Sequence, residues 1–196
     1  GTVPTTNSLV ASGAIEINET AVLSARFFRN GRPASETARQ MFMKVKPDTS
    51  AKVDSLQNGI HYEYFEGEWQ SLPDFTSLAP LRGGVLQKLE LPPQRALVNY
   101  GVVLMGYIKV AEDGVYNFYT LSDDGSNLYV DGKLIVDNDG LHSAAEKEGA
   151  VALAAGYHPI RVQFFQRGGT DELEVYYKSL KIPKQQIPHG ALYYGK

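Results

Sequence analysis

The segment Val115 to Asp139, VYNFYTLSDDGSNLYVDGKLIVDND, constrains the fold more than any other stretch of the chain. Its opening, Val115 to Leu121, is rich in aromatic and β-branched residues, the composition of a strand covered on both faces. Ser122-Asp123-Asp124-Gly125-Ser126 then ends the run with residues that close turns through their own side chains or accept φ > 0. Asn127 to Val130 and Lys133 to Val136 read as two short strands on either side of Asp131-Gly132. Asp-Gly between hydrophobic segments signals a type I′ hairpin, because both central residues of that turn need φ > 0. The segment therefore predicts a strand, an acidic loop and a tight hairpin in succession.

The remaining chain reads the same way. Gly59 to Phe65, Val85 to Leu91, Tyr100 to Val110, Val151 to Leu153, Ile160 to Gln166 and Glu172 to Tyr177 are apolar or alternating runs of strand length, separated by Gly, Pro, Asn and Asp. Asp74 to Pro80 and Arg82-Gly83-Gly84 read as loop, and Pro183 to Lys196 as a last edge segment. Near the N-terminus, Ala14 to Ile17, Ala21 to Phe28 and Glu36 to Val45 are further extended stretches, with Asn30-Gly31 as a hairpin turn and Met41-Phe42-Met43 equally compatible with a helix. Pro47-Asp48-Thr49-Ser50 has linker composition. With 12 Tyr, 8 Phe, 19 Gly and 10 Pro, the composition matches an all-β class. A net charge of −3 gives no basic surface for a polyanion, so nucleic-acid binding is not expected. No apolar run reaches the roughly 18 residues of a membrane span. The absence of cysteine excludes disulfides and thiolate metal sites.

Gly114, Tyr116, Phe118, Ser122 to Ser126, Leu128, Val130, Asp131 and Gly132 together resemble the signature of the anthrax-protective-antigen (PA-fourteen) domain family. The run Tyr64, Phe65, Gly67, Trp69, Leu72, Pro73 and Phe75 resembles an opening found in hexosaminidase-associated members. The resemblance implies an all-β protective-antigen-type β-sandwich over residues 52–196, of the kind attached to secreted glycosidases, adhesins and toxins, many of which bind sugars. Upstream, Gly1 to Ser8, Gly13 to Ile17, Ala25-Arg26 and Asn30 to Ser35 are similar to the latter half of the immunoglobulin-like C-terminal module of chitobiases and β-hexosaminidases. Residues 1–47 are accordingly expected to be a partial immunoglobulin-like β module that begins after its first strands. Together the two resemblances imply a C-terminal fragment of a bacterial β-hexosaminidase-like glycoside hydrolase.

In the yeast adhesin branch of the family, two successive aspartates hold a calcium ion that ligates sugar hydroxyls. This resemblance makes Asp123 and Asp124 candidate metal and carbohydrate ligands, oxygen donors being suited to a hard cation. An asparagine that the branch supplies from a later loop falls near Gln166 here. The alternative is a turn in which both carboxylates accept backbone N–H groups. Trp69, His142, Tyr62 and Tyr64 are candidates for stacking on sugar rings. The alternation of Tyr62 and Tyr64 favours core packing for those two, whereas Trp69, in a polar loop, is open to either role. Arg167 to Glu172 is superficially similar to the Gly-Gly-Asp-Glu motif of hexosaminidases. However, Thr170 interrupts it, and the chain lacks the βα alternation of a barrel.

The expected role is a non-catalytic carbohydrate-binding accessory region of a secreted or periplasmic glycoside hydrolase, most plainly a β-N-acetylhexosaminidase. No cofactor is required, and a calcium ion at the aspartate pair is an optional addition. The expected partners are a glycan and a catalytic domain upstream in the same chain. A structural spacer and an adhesin-type sugar-binding module are the competing roles.

Overall fold

The computed structural model describes residues 2–195, which divide into two compact units, Gly1–Lys46 and Pro47–Lys196. The first unit contains β1 (Ala21–Ala25), β2 (Phe28–Arg29), β3 (Arg32–Pro33) and β4 (Ala38–Phe42). β1 and β4 form one antiparallel ribbon, with Ala21 opposite Phe42 and Ala25 opposite Ala38. β2 and β3 form a second, turned by Asn30 and Gly31 at φ 51° and 71°. The expected strand at Ala14 to Ile17 does not form, since no neighbouring segment offers it a ladder. Glu36 to Val45 is a strand only over β4. No described residue of this unit is buried, and Phe27, Met41, Phe42 and Met43 stand exposed.

The second unit contains β5 (Gln57–Asn58), β6 (Ile60–Glu66), β7 (Arg82–Leu86), β8 (Tyr100–Val110), β9 (Gly114–Asp123), β10 (Ser126–Val130), β11 (Lys133–Asn138) and β12 (Ala145–Leu153). It ends with β13 (Gly156–Gln166), β14 (Glu172–Lys178), β15 (Gln185–Gln186) and β16 (Leu192–Tyr194). The large antiparallel sheet runs β11-β10-β13-β8-β16-β5, with β6 also paired to β8 and β7 paired to β6 alone. The small sheet runs β12-β9-β14-β15. The central segment behaves as its sequence predicts: β9 pairs with β12 on one side and β14 on the other. The β10–β11 turn has φ 51° at Asp131 and 75° at Gly132, the mirror-image turn that Asp-Gly demands.

Alternation along the strands builds the core. In β14, Leu173, Val175 and Tyr177 are buried while Glu172, Glu174, Tyr176 and Lys178 are partly exposed. Tyr116, Phe118, Leu153 and Val175 of the small sheet share one core with Tyr64, Leu104, Ile160 and Phe164 of the large one. This is two inner faces closing on each other, a β-sandwich. Tyr64, with no exposure at all, belongs to that core, and the partly buried Tyr62 packs against it. A register shift between Leu128 and Tyr129 leaves Ile135 without a partner in β10, and this bulge brings β11 against β12. The approach is so close that a Cβ on Gly149 would collide with the Ile135 carbonyl, so only glycine fits there.

Three readings of the sequence need correction in this unit. Arg82 to Gly84 is part of β7 rather than a loop; paired glycines mask a strand by supplying no side-chain pattern. The strand expected over Val85 to Leu91 stops at Leu86, and the chain stays irregular as far as Tyr100. The C-terminal tail does not simply pack on an edge: β16 pairs with both β8 and β5 within the large sheet. The first half of β12, AEKEGA, has no apolar alternation because its side chains are mostly exposed, and it carried no strand signal.

A second, smaller cluster lies on the outer face of the large sheet. Phe65, Phe75 and Val103 are buried there beneath Trp69, Leu72 and Met105, so the 67–81 loop folds back over the sheet rather than away from it.

Candidate functional site: an acidic loop on a buried polar floor

Asp123 ends β9 and Ser126 begins β10, so Asp124 and Gly125 alone carry the chain from the small sheet to the large one. The Asp123–Asp124 peptide bond is cis. Two longer loops meet the acidic loop, 139–144 between β11 and β12 and 167–171 between β13 and β14, and a third, 67–81 between β6 and β7, is bonded to both of them.

Below the acidic loop is a layer of buried polar side chains. Ser122 Oγ and Ser126 Oγ lie 2.8 Å apart, and Asn138 Nδ2 donates to Ser122 Oγ at 3.0 Å and to the Ala145 carbonyl at 2.9 Å. Asn127 Oδ1 accepts the Asn138 N–H at 3.2 Å. Ser122 and Ser126 have no exposure, and Asn127 and Asn138 little. A buried polar group without partners is costly, whereas a connected set of them fixes one arrangement. This floor therefore holds β9, β10 and β11 in register beneath the loop.

Asp124 is only 7% exposed and is held on three sides. Its Oδ2 accepts the Arg167 N–H at 2.9 Å, its Oδ1 accepts the His142 N–H at 3.3 Å, and its own N–H donates to Gln166 Oε1 at 2.8 Å. Gln166, fully buried, donates from Nε2 to the Gly168 carbonyl at 2.8 Å. Gln166 thus lies against Asp124, with both ends of its amide serving inside the protein. Asp123 is partly exposed at the same loop, and its carboxyl is pushed up, first by burial and then by the charge of Asp124. Among the described residues, no Lys or Arg forms an ion pair with either aspartate.

The remaining candidates are placed around this pair. The backbone of His142 meets Asp124, while its ring nitrogens lie 3.0 Å from the Asn138 carbonyl and 2.9 Å from the Ser143 carbonyl. Trp69 is half-buried, edge-on to Phe75 with ring centroids 6.0 Å apart, and close to Gly101. Its loop is nonetheless tied to both flanking loops, by Glu68 to the Arg167 guanidinium at 3.1 Å and by the Leu72 N–H to Asp139 Oδ1 at 2.8 Å.

Glu68, Asn138 and Asp139 were not singled out from the sequence, and Arg167 entered only at the head of the rejected hexosaminidase-like motif. Arg167 and Asp139 each sit beside glycine in a stretch with the composition of an ordinary turn, and their roles depend on partners far along the chain. The donor set suits a hard cation in kind, two adjacent carboxylates with no cationic partner. However, among the described residues no third acidic or histidine side chain joins them in a metal-holding group. A cation here would rest on Asp123 and Asp124 and take its further oxygens from backbone or ligand.

The sequence model of the PA14 domain family matches residues 56–191. A β-hexosaminidase of Porphyromonas gingivalis is 26% identical over 169 residues, 82% of this chain and 21% of the relative. The anti-sigma-I factor RsgI3 of Acetivibrio thermocellus is 32% identical over 96 residues, 48% of this chain and 15% of the relative. The chain thus spans about a fifth or less of the length of these relatives. Among solved structures, the PA14 sugar-binding domain from an RTX adhesin superposes with a TM-score of 0.61 at 15% identity, over 70% of this chain and 99% of that one. No helix among the described residues is long and apolar enough to cross a membrane.

Proposed function

The chain belongs to the PA14 domain family, and from that premise we propose that it is a carbohydrate-binding module whose recognition centre is the Asp123–Asp124 loop. The observation that carries the reading is the division of labour within the pair. Asp124 accepts two backbone N–H groups and fixes the loop, while Asp123 beside it is partly exposed and, among the described residues, forms no ion pair with Lys or Arg. Sugar hydroxyls are the donors such a carboxylate accepts, and charged acceptors make the stronger hydrogen bonds. A calcium ion held by both aspartates would offer the same hydroxyls a ligand position. Arg167 and His142 meet Asp124 through their backbone N–H groups, and Glu68 of the 67–81 loop pairs with the Arg167 guanidinium.

The module is accessory to a glycoside hydrolase of the β-N-acetylhexosaminidase type, exported from the cytoplasm, with its catalytic domain elsewhere in the same polypeptide. The alignment with a β-hexosaminidase over most of this chain supports that placement. A glycan array read with calcium and again with chelator tests the binding reading, using Asp123→Asn as control. Binding that the substitution leaves intact overturns it.

One observation favours a second reading, that of a packing spacer. At the end of the sandwich away from Asp123, a cavity of about 590 Å³ is lined by Val115, Tyr116, Leu180 and Ile182. Leu180 there is 99% exposed, as an apolar contact surface awaiting a neighbouring domain would be. Failure of every glycan on the array would leave this as the role of the unit.

A further inference from the structure

We infer that Arg95 and Asp171 form a clasp that positions the 167–171 loop, and through it Asp124, for ligand recognition. The inference rests on the reading of the acidic loop as the binding centre, but the clasp itself is tested without a ligand.

The 167–171 loop crosses from β13 in the large sheet to β14 in the small one. Its composition is that of a mobile segment: Gly168, Gly169 at φ 84°, and an exposed Thr170. Yet Gln166 and Arg167, at its root, supply two of the three hydrogen bonds that fix Asp124. Something must hold such a loop still.

Asp171, at the far end of the loop, is gripped by two prongs of Arg95. Nε lies 2.5 Å from Oδ2 and Nη2 lies 3.1 Å from Oδ1, a planar fork on a carboxylate. Arg95 is itself anchored through Nη1 to the Pro92 carbonyl at 3.1 Å. The Tyr100 hydroxyl donates to the same Asp171 Oδ2. Tyr100 has no exposure, and its ring packs against Tyr64 and Phe164. It is also the residue opposite Gln166 in the β8–β13 ladder. One buried tyrosine thus closes the loop at both ends, by strand pairing at Gln166 and by its hydroxyl at Asp171. The Arg95 guanidinium keeps Asp171 ionised by holding its carboxyl below the usual range.

The test is amide hydrogen exchange by NMR on the full chain, comparing wild type with Asp171→Asn and Arg95→Gln. The reporter is the Arg167 N–H, whose acceptor is Asp124 Oδ2. The expected result is exchange at Arg167 faster by about tenfold or more, with the amides of Val162 and Leu104 in the central ladder unchanged. Unchanged exchange at Arg167 overturns the clasp, as does uniform acceleration at all three amides, which would mark plain loss of stability. Should Asp171→Asn fail to fold, Arg95→Gln alone decides, because Arg95 lies in irregular chain at the surface. Arg95→Lys should recover only part of the protection, a single ammonium being unable to reproduce the fork. On any glycan the wild type binds, both variants should lose about tenfold in affinity. A wild type that binds no glycan sinks the recognition reading and leaves the exchange comparison to judge the clasp.

Discussion

The Arg167 N–H donates to Asp124 Oδ2 at 2.9 Å, across 43 residues of sequence and between two different sheets. Each partner is a loop residue with no regular structure of its own beyond the strand it extends. The acidic loop therefore owes its shape to tertiary contacts, and its two aspartates should respond to substitution in opposite ways.

Asp123→Asn is expected to weaken glycan binding about tenfold to a hundredfold while raising the melting temperature. The carboxyl is raised above its ordinary value by burial and by Asp124, so the folded protein bears a cost for ionising it. A raised pKa contributes stability fully present below the unfolded value of about 3.9 and lost as pH rises through the folded value. The advantage of the variant should accordingly be largest near neutrality and shrink toward about pH 4. Paired thermal melts across that range check this, and an advantage that grows on acidification would contradict it.

Asp124→Asn should instead destabilise. Both carboxylate oxygens accept backbone N–H groups in a nearly closed environment, and the amide can replace only one of them. The expected loss is about 1–3 kcal/mol in urea unfolding. A fully stable variant that fails only in binding would move Asp124 from the brace to the ligand.

Gly125→Ala should cost about 1–3 kcal/mol. A Cβ there would fall 2.5 Å from Phe165 Cε1 and 2.8 and 2.9 Å from the Gly140 N and O, and two of these three atoms are backbone. Because Gly140 belongs to the loop that carries His142, the strain should also shift the His142 amide resonance. A neutral substitution would mean that the two loops are not in contact in solution.

Trp69 is the only tryptophan, so its fluorescence isolates the 67–81 loop. Its ring packs on Phe75 and over Gly101, which makes Trp69→Ala a packing loss of about 1–3 kcal/mol, below the value for a wholly buried ring. Glycan binding should shift the emission of the wild type through the Glu68–Arg167 link. Loss of binding in Trp69→Ala without loss of stability would show the ring stacking on the sugar itself.

The central strand and hairpin were legible because their signals are local: apolar runs set the strand, and Asp131-Gly132 has one turn type open to it. Tyr64 was legible as core from alternation alone. β7 was hidden because Gly83 and Gly84 carry no side chain to alternate, and the start of β12 because its outward face is solvent. At the site, the family resemblance picked out Asp123 and Asp124, but what distinguishes them was not legible. Whether a carboxylate braces a loop or stays partly exposed depends on His142 and Arg167, which follow two and four further strands along the chain. The Arg95–Asp171 fork, 76 residues apart, has no local signature of any kind.

The pairing of β7 with β6 alone bears on how the protein behaves in concentrated solution. The bulged β11 side of the large sheet is closed against β12, whereas β7, Arg-Gly-Gly-Val-Leu, is paired to β6 along one edge and to no strand along the other, with its Val85 and the adjoining Leu81 exposed. Such a rim is a template for strand-to-strand aggregation. Arg82 stands at its head, its guanidinium carbon 3.7 Å from the centroid of the Tyr64 ring and its Nη2 on the Gln94 carbonyl, a gatekeeping charge at the open border of the sandwich.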